Sequence, residues 1–232
     1  MTQPARPDLA GAFSRLLTDR WSCRGYLPSP IPRETILQIL ALAQRTPSWC
    51  NTQPWQVSIV SGQAIERLRA DLSAHAAAHP DEVASDIPFP REYPGVYRER
   101  RRECGFQLYE SVGVQRGDRA ASARQGALNF RFFDAPHVAL VTSAEALGPY
   151  GAIDCGAYVN NFMLAAQACG VANIAQAALA QYADYFRERL GFGADRILVC
   201  GISFGYADPS HPANGFRTSR EQVAKVVSFL DE

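Results

Sequence analysis

The sequence predicts a single α+β domain in which helices outnumber strands. Three apolar segments rich in β-branched residues, at residues 56–61, 137–142 and 196–205, indicate buried strands. Longer amphipathic segments separate them, and no internal repeat or linker-like change of composition interrupts the chain. With 232 residues, 47% of them hydrophobic, the chain is long enough to bury one substantial core.

The N-terminal part is predicted to contain two helices, one on each side of the first strand. Pro32 suits the first turn of a helix, and Pro47 follows the end of that helix. A second amphipathic helix is expected over residues 63–78, directly after the strand. Residues 1–13 are expected to form a loosely ordered arm of a single domain that spans residues 1–232.

The middle of the chain is predicted to leave the core and to return to it. Four prolines between residues 79 and 95 indicate a loop excursion. The arginine-rich segment 97–113 then predicts a helix that directs Cys104, Leu108 and Val112 toward the core. Its arginines are expected on the opposite, solvated face.

The C-terminal half is predicted to contain four more helices. Residues 117–128 and 181–191 are amphipathic, and residues 154–170 form a long segment rich in small side chains. Small side chains allow a backbone or a flat ligand to approach, which favours a central position for that helix. Ser219 and Gln222 have the spacing of a capping box and predict a last helix.

Composition and charge exclude several classes of partner. Lys plus Arg and Asp plus Glu are equal at 23 each, so no attraction to nucleic acid or to a membrane surface is predicted. The sequence has no apolar run of about 18 residues, so no membrane-spanning helix is predicted. The N-terminus lacks an apolar signal core, so we expect a cytoplasmic protein whose six cysteines are free thiols.

Several familiar catalytic motifs are absent or incomplete. No G-x-G-x-x-G follows a strand and no P-loop motif occurs, which argues against two classes of nucleotide site. Residues 201–205 have the letters of the hydrolase motif G-x-S-x-G, but the strand with Ser203 leads into a proline-bearing loop, so an esterase is a minor alternative. His75 and His79 have the spacing of a zinc pair without an evident third ligand, and no metal site is predicted.

Two arginine clusters near the ends of the chain are the strongest indication of a binding site. Arg20, Ser22 and Arg24 alternate, so they share one face if the segment is extended. Arg217 and Arg220 flank hydroxyl side chains near the C-terminus. Guanidinium groups beside hydroxyls suit a phosphate or carbonyl oxygens, although either cluster alone is typical of a solvated surface.

Residues 45–62 combine two prolines, two tryptophans and several amides at the start of a strand, which is more than a chain reversal requires. This segment and the arginine clusters resemble the flavin-dependent nitroreductase family. The matching motifs are R-x-S-x-R at 20–24, P-S-x-x-N-x-Q-P-W at 47–55, FFDAPHVALV at 132–141, DCGAYVNNFMLAAQACGV at 154–171 and GISFGYAD with N-x-FRTSR at 201–220. The resemblance runs from about Ser14 to the C-terminus and is closest to the nitroaromatic and nitrobenzoate reductase branch.

The resemblance implies a nitroreductase-like α+β fold with a central, mainly antiparallel sheet flanked by helices. It also implies an intertwined homodimer that binds FMN in two clefts at the subunit interface. The implied cofactor-binding residues are Arg20, Ser22, Arg24, Pro47, Ser48, Asn51, Ala175, Gln176, Ala177, Ala178, Arg217 and Arg220. Among them, Arg24 would lie by the pyrimidine edge of the flavin, and residues 175–178 would direct backbone N–H groups toward N5.

The loop at residues 47–51 would come from the partner subunit, with Gln53, Pro54 and Trp55 anchoring it to the sheet. Trp55 is expected in the core. Trp49 and Cys50 occupy the variable positions of the motif and are the candidate substrate-binding residues. An indole suits stacking on an electron-poor ring, and it equally suits a dimer interface.

The implied activity is a ping-pong reaction in which NADPH or NADH reduces FMN and a nitroaromatic then takes two electrons. The cofactor carries the chemistry, so no catalytic side chain is assigned. Two alternatives stay open: a flavin enzyme of this fold with another acceptor, such as an enone, a quinone or a halogenated aromatic, and a non-catalytic FMN-binding protein.

Two positions depart from the family pattern, and one cluster has two interpretations. Asn173 and Ile174 stand where smaller residues are expected, and Asp134 stands where a glycine is expected. The arginines at residues 98–102 fit a solvated helix face, although the 2′-phosphate of NADPH is a second possible partner.

Overall fold

The computed structural model describes residues 8–231 and contains a four-stranded antiparallel sheet with helices on both faces. The strands are β1 Gln56–Ser61, β2 His137–Ala144, β3 Ala172–Gln176 and β4 Arg196–Gly205. The helices are α1 Leu9–Asp19, α2 Arg33–Ala43, α3 Gly62–Ala78, α4 Val96–Ser111, α5 Arg119–Ala127, α6 Gly148–Ala168 and α7 Ala183–Leu190. The strand order is β1-β2-β4-β3, so β3 lies at one edge of the sheet. The predicted α+β class is confirmed.

The core forms on both faces of the sheet because side chains alternate along the central strands. On β2, Ala139 and Val141 pack with residues of α2 and α6, whereas Val138 and Leu140 pack with residues of α3 and α7. All four side chains are fully buried. The small residues of α6 let this helix lie directly on the sheet, as predicted for a central helix.

Two elements were missed, and one expectation is corrected. The predicted arm at residues 1–13 is wrong from Leu9 onward, since α1 begins there with the Asp8 side chain accepting a 2.8 Å hydrogen bond from the Gly11 N–H. The first seven residues lie outside the described part of the chain. Strand β3 was also missed, because its sequence ANIAQ has little β propensity of its own.

The predictions for α4 and for the C-terminus differ in their outcome. Helix α4 forms with its arginines exposed and with Cys104, Leu108 and the following Val112 half-buried, so the predicted facing is confirmed, although none of the three is fully buried in the core. The predicted capping box does not start a helix, and only a 3₁₀ turn follows at Val223–Lys225. There the Glu221 side chain accepts from the Gln222 N–H, and Ser219 makes no cap.

A strained turn leads into β2 and explains why a glycine is expected at position 134. Phe132, Phe133 and Asp134 have φ values of 57°, 51° and 57°, in the left-handed region that favours glycine. The buried side chain of Arg69 donates to the carbonyl oxygens of Arg131 and Ala135, at 3.0 and 2.6 Å, and so holds both ends of the turn. Both phenylalanines are buried, and their packing stabilises this conformation.

Candidate functional site

The first arginine cluster lies along the open edge of β3. Ser22 forms a parallel bridge with Asn173, and the Cys23 N–H donates to the Asn173 carbonyl at 3.0 Å. The Tyr26 hydroxyl donates to the Ser203 carbonyl at 3.0 Å, which attaches the end of this segment to β4. The segment is therefore extended, and the alternation of Arg20, Ser22 and Arg24 places these three side chains on one cavity.

Asn214 brings the second cluster to the first. Its Oδ1 accepts from the Arg24 N–H at 2.9 Å, and its Nδ2 donates to the Gly25 carbonyl at 2.8 Å. Arg217 follows three residues later and places its guanidinium 4.4 Å from the centre of the Trp21 ring. A buried asparagine thus joins segments that are 190 residues apart in sequence. In the sequence, this asparagine is recognisable only as the first residue of the N-x-FRTSR motif.

The two clusters line a single open cavity of about 820 Å³. Its wall contains all five predicted residues of these clusters together with residues from α1, α4 and α6; the lining residues are Leu17, Thr18, Arg20, Trp21, Ser22, Arg24, Cys104, Asn160, Met163, Phe216, Arg217, Thr218 and Arg220. The volume lies in the range of small-molecule sites, about 300–1,000 Å³. The structure therefore brings together the residues that sequence placed at opposite ends of the chain.

The cavity carries positive charge that residues 8–231 do not neutralise. Within this range, none of Arg20, Arg24, Arg217 and Arg220 has a carboxylate oxygen within 4 Å of its guanidinium nitrogens. Burial lowers the pKa of Arg24, and burial together with the charge of Arg220 lowers the pKa of Arg20. Such an arrangement disfavours the cations in the free protein and favours an anionic ligand.

Two aromatic rings lie beside the guanidinium group of Arg24. Its guanidinium carbon lies 6.0 Å from the centre of the Phe133 ring and 5.7 Å from that of Phe216. Its Nη1 also donates to the Ser22 carbonyl at 3.3 Å. The strained turn before β2 thus positions one ring of this pair, and the C-terminal segment provides the other. Sequence reasoning missed both rings.

The end of β3 offers backbone N–H groups close to the same edge. Because the Asn173 carbonyl points away from β4, the N–H of Ala175, two residues later, points the same way. Ala177 and Ala178 open a 3₁₀ turn, whose first N–H groups have no acceptor within the turn. The Gln176 side chain is buried and turned into the protein, so any contact of this residue with a ligand is made by its backbone.

The loop before β1 is strained and is held by amide side chains. Cys50, Asn51 and Gln53 have φ values of 49°, 55° and 46°. The Gln53 N–H donates to Ser48 Oγ at 2.9 Å, and its side-chain amide contacts Asn51 Oδ1 at 3.2 Å. Gln44 connects the loop to the core, because its amide contacts both Gln53 and the Trp55 indole N–H, at 3.1 and 3.0 Å. The abundance of amides in this segment thus has a structural cause.

The anchor of this loop was predicted correctly, whereas its tip stands apart from the cavity. Trp55 is buried and stacks on Tyr158 with ring centres 5.0 Å apart, and the Pro54 carbonyl accepts from Arg196 at 3.0 Å. The predicted loop residues Pro47, Ser48, Trp49, Cys50 and Asn51 do not line the arginine cavity of their own chain, and neither do the predicted residues 175–178 at the end of β3.

Trp49 forms an exposed aromatic pair with a residue of α6. Its side chain is 60% exposed, and its ring centre lies 4.7 Å from that of Tyr150, which is also exposed. Its backbone N–H donates to the Asp154 carboxylate at 3.1 Å. Sequence reasoning missed Tyr150, since nothing in the pattern relates the start of α6 to this loop.

The minor alternatives from the sequence do not form catalytic sites. Ser203 lies within β4, is fully buried and donates its hydroxyl to Gln176 Oε1, so it does not occupy a turn between a strand and a helix. His75 Nε2 lies 3.1 Å from a Glu82 carboxylate oxygen. Over the described residues, no three metal-ligating side chains cluster together. Along residues 8–231, no helix combines the length and the apolar character that a bilayer crossing requires.

Known proteins resemble this chain over nearly its whole length. Residues 17–206 match the model of the Nitroreductase family. The nitroreductase NfnB of Mycolicibacterium smegmatis is 39% identical over 98% of this chain and 97% of that protein, and a 4-nitrobenzoate reductase of Pseudomonas putida is 31% identical over 96% and 97%. The crystal structure of the FMN-dependent nitroreductase NfnB from Mycobacterium smegmatis in complex with NADPH matches with a TM-score of 0.91 and 38% identity, over 96% of this chain and all of that one. The chain therefore belongs to the nitroreductase family.

Proposed function

We propose that this protein is an FMN-dependent NAD(P)H oxidoreductase that reduces nitroaromatic or similarly electron-poor acceptors. The observation that carries the proposal is the cavity lined by four arginines without carboxylate partners in residues 8–231. Its charge suits a phosphate ester, and its volume suits a ligand of the size of a mononucleotide. The relatives named above support the same assignment.

The donor set fits the two polar ends of FMN. Arg20, Ser22, Arg217 and Arg220 would hold the phosphate, because guanidinium and hydroxyl groups donate to its oxygens. Arg24, beside its two aromatic rings, would face the pyrimidine edge and favour added negative charge there. When bound, FMN accepts a hydride equivalent from a nicotinamide and passes two electrons to an acceptor.

The chain's own groups orient the reaction. The N–H groups of Ala175, Ala177 and Ala178 would aim at the reacting edge of the ring, where donors favour the reduced form. The small side chains of these residues leave room for a flat ring beside the backbone. The buried apolar side chains beside Arg24, Phe133 among them, lower the polarity of that wall of the cavity and so strengthen the interactions of Arg24.

We further propose that the cavity is completed by a second copy of the chain. The side chains of Leu9, Phe13 and Leu17 share one face of α1 and are exposed, and so is the apolar end of the C-terminal segment at Phe229 and Leu230. A monomer rarely exposes so many large apolar side chains. In the proposed homodimer, the loop at 47–51 reaches the cavity of the partner, and sedimentation should give twice the 25.4 kDa chain mass.

In that arrangement, Trp49 and Cys50 face the acceptor. The exposed indole provides a flat surface for an electron-poor ring, and Tyr150 supports it from behind. The reductant is NADPH or NADH. All six cysteines are free thiols, which suits the reducing cytoplasm that we propose as the location.

A comparison of FMN with riboflavin tests the phosphate site. Replacing both Arg217 and Arg220 by alanine should weaken FMN binding by roughly 100-fold or more, since each charge-assisted hydrogen bond contributes about 1.5–3 kcal/mol. Riboflavin binding should hardly change, because riboflavin lacks the phosphate. Arg189→Ala, which removes a half-exposed arginine paired with Asp71, is the matched control and should leave both affinities unchanged. Equal losses for FMN and riboflavin would contradict the assignment.

A further inference from the structure

A buried chain of hydrogen bonds fixes the end of β3. The Ser203 hydroxyl donates to Gln176 Oε1, and Gln176 Nε2 donates to the Asn129 carbonyl at 3.0 Å and to its Oδ1 at 3.2 Å. Ser203 is 0% exposed and Gln176 is 2% exposed. Both ends of one amide are therefore satisfied by two different elements, β4 and the 3₁₀ segment that precedes the strained turn.

Gln176 connects this hydrogen-bond network to the backbone at the end of β3. Gln176 is the last residue of β3, where it pairs with Gly201 of β4, and it immediately precedes the turn that Ala177 and Ala178 open. Its backbone is thus held on one side by the sheet and its side chain on the other by Asn129. The direction of the next two N–H groups depends on this residue.

We propose that Gln176 is a positioning residue for the redox reaction and that its side chain, without touching the cofactor, aims the N–H groups of Ala177 and Ala178. The proposal rests on the proposed function, since it assumes FMN beside β3. Donors aimed at the reacting edge stabilise the reduced cofactor more than the oxidised one, and small errors of aim weaken this preference.

An amide is required because the two ends of the side chain have opposite roles. Oε1 accepts from a hydroxyl, whereas Nε2 donates to two oxygens of Asn129. Glutamate would oppose those two oxygens with a third one, and methionine has a similar length but donates nothing. Gln176→Met therefore removes the hydrogen bonds that orient the following N–H groups, while it keeps most of the packing.

Two experiments separate positioning from a merely structural role. In the FMN-loaded protein, Gln176→Met should weaken the preference for reduced over oxidised FMN by about tenfold, which corresponds to a two-electron potential about 30 mV lower. In the cofactor-free protein, amide hydrogen exchange of Gln176 and of residues 179–182, whose N–H groups are bonded within the sheet and the turn, should accelerate by tenfold or more. Ser203→Ala and Asn129→Ala each remove one hydrogen-bonding group and should weaken the preference for reduced over oxidised FMN by about threefold.

Gln181→Met is the matched control. Gln181 lies near the far end of the same 3₁₀ turn, and its Nε2 donates to the Glu82 carbonyl at 2.8 Å. This variant should lose stability without a change in potential. An unchanged potential in folded, FMN-loaded Gln176→Met would overturn the proposal; if that variant does not fold, an unchanged potential in both Ser203→Ala and Asn129→Ala would do so. Failure of the wild-type protein to bind FMN would instead refute the proposed function.

Discussion

Replacing Arg24 by methionine should leave the stability of the cofactor-free protein nearly unchanged while it strongly weakens cofactor binding. Burial lowers the pKa of this arginine, so the folded protein loses favourable solvation of its charge. Residues 8–231 place no carboxylate beside it to compensate. Methionine retains the apolar length of the side chain beside the rings of Phe133 and Phe216.

The contacts of Arg24 set the size of both effects. Its side-chain hydrogen bond to Ser22 is long, at 3.3 Å, and both ring contacts lie near the 6 Å limit for a cation–π interaction. Together they contribute about 1–2 kcal/mol, which the relief of desolvation largely offsets, so the free energy of unfolding should change by less than about 1 kcal/mol. Loss of a charge-assisted contact to the cofactor removes about 1.5–3 kcal/mol, or roughly 10- to 150-fold in affinity.

Urea unfolding of the cofactor-free protein and titration with FMN, followed by flavin fluorescence, measure the two quantities separately. Arg189→Met, at a half-exposed position, controls for the general effect of removing a positive charge. The reasoning is refuted if Arg24→Met destabilises the free protein by more than about 2 kcal/mol and leaves FMN affinity unchanged. Arg24 would then be a structural cation.

Three further predictions concern other parts of the molecule. His137 Nε2 accepts from the Ile31 N–H, and burial lowers the pKa of this imidazole below its ordinary 6.5. Because the unfolded chain then binds more protons, the stability that this residue contributes above pH 6.5 should decline as the pH falls toward the pKa of the folded protein. His137→Phe should reduce this loss of stability between pH 7.5 and pH 5.5, as measured by urea unfolding at both pH values. Asp134→Gly should raise the free energy of unfolding by up to about 1 kcal/mol, because it relieves a positive φ at the expense of a surface ion pair with Arg131 and a longer one, at 3.7 Å, with the buried Arg69. Arg69 keeps its ion pair with Glu66, and a loss above about 1 kcal/mol would contradict this balance. Trp49→Ala should raise KM for a nitroaromatic by about 2- to 12-fold if the indole stacks on it, and unchanged KM and kcat would exclude stacking.

The sequence predicts those elements whose local pattern agrees with their place in the fold. The strands at 56–61 and 196–205 appear with the predicted bounds, because their apolar β-branched side chains are buried on the sheet. Strand β3 could not be predicted from local pattern, since Ala, Asn and Gln form a strand there only by pairing with β4. For α4, the helical pattern was sufficient for the helix and insufficient to show what the helix packs against.

The site was predictable in its residue types and not in its assembly. The alternation of Arg20, Ser22 and Arg24 indicated one face, and the structure confirms that they line one cavity. Their meeting with Arg217 depends on the buried Asn214, a contact between segments at opposite ends of the chain that no spacing rule reveals. The resemblance to the nitroreductase family already indicated that these two segments form one site.

The visible spectrum of the purified protein under anaerobic conditions tests the central claim most directly. After reconstitution with FMN, the account predicts one oxidised flavin per chain, a visible band of oxidised flavin that disappears with NADPH or NADH, and its return on addition of 4-nitrobenzoate or another nitroaromatic. A protein that takes up no FMN, or a bound flavin whose band persists with both nicotinamides, would contradict it.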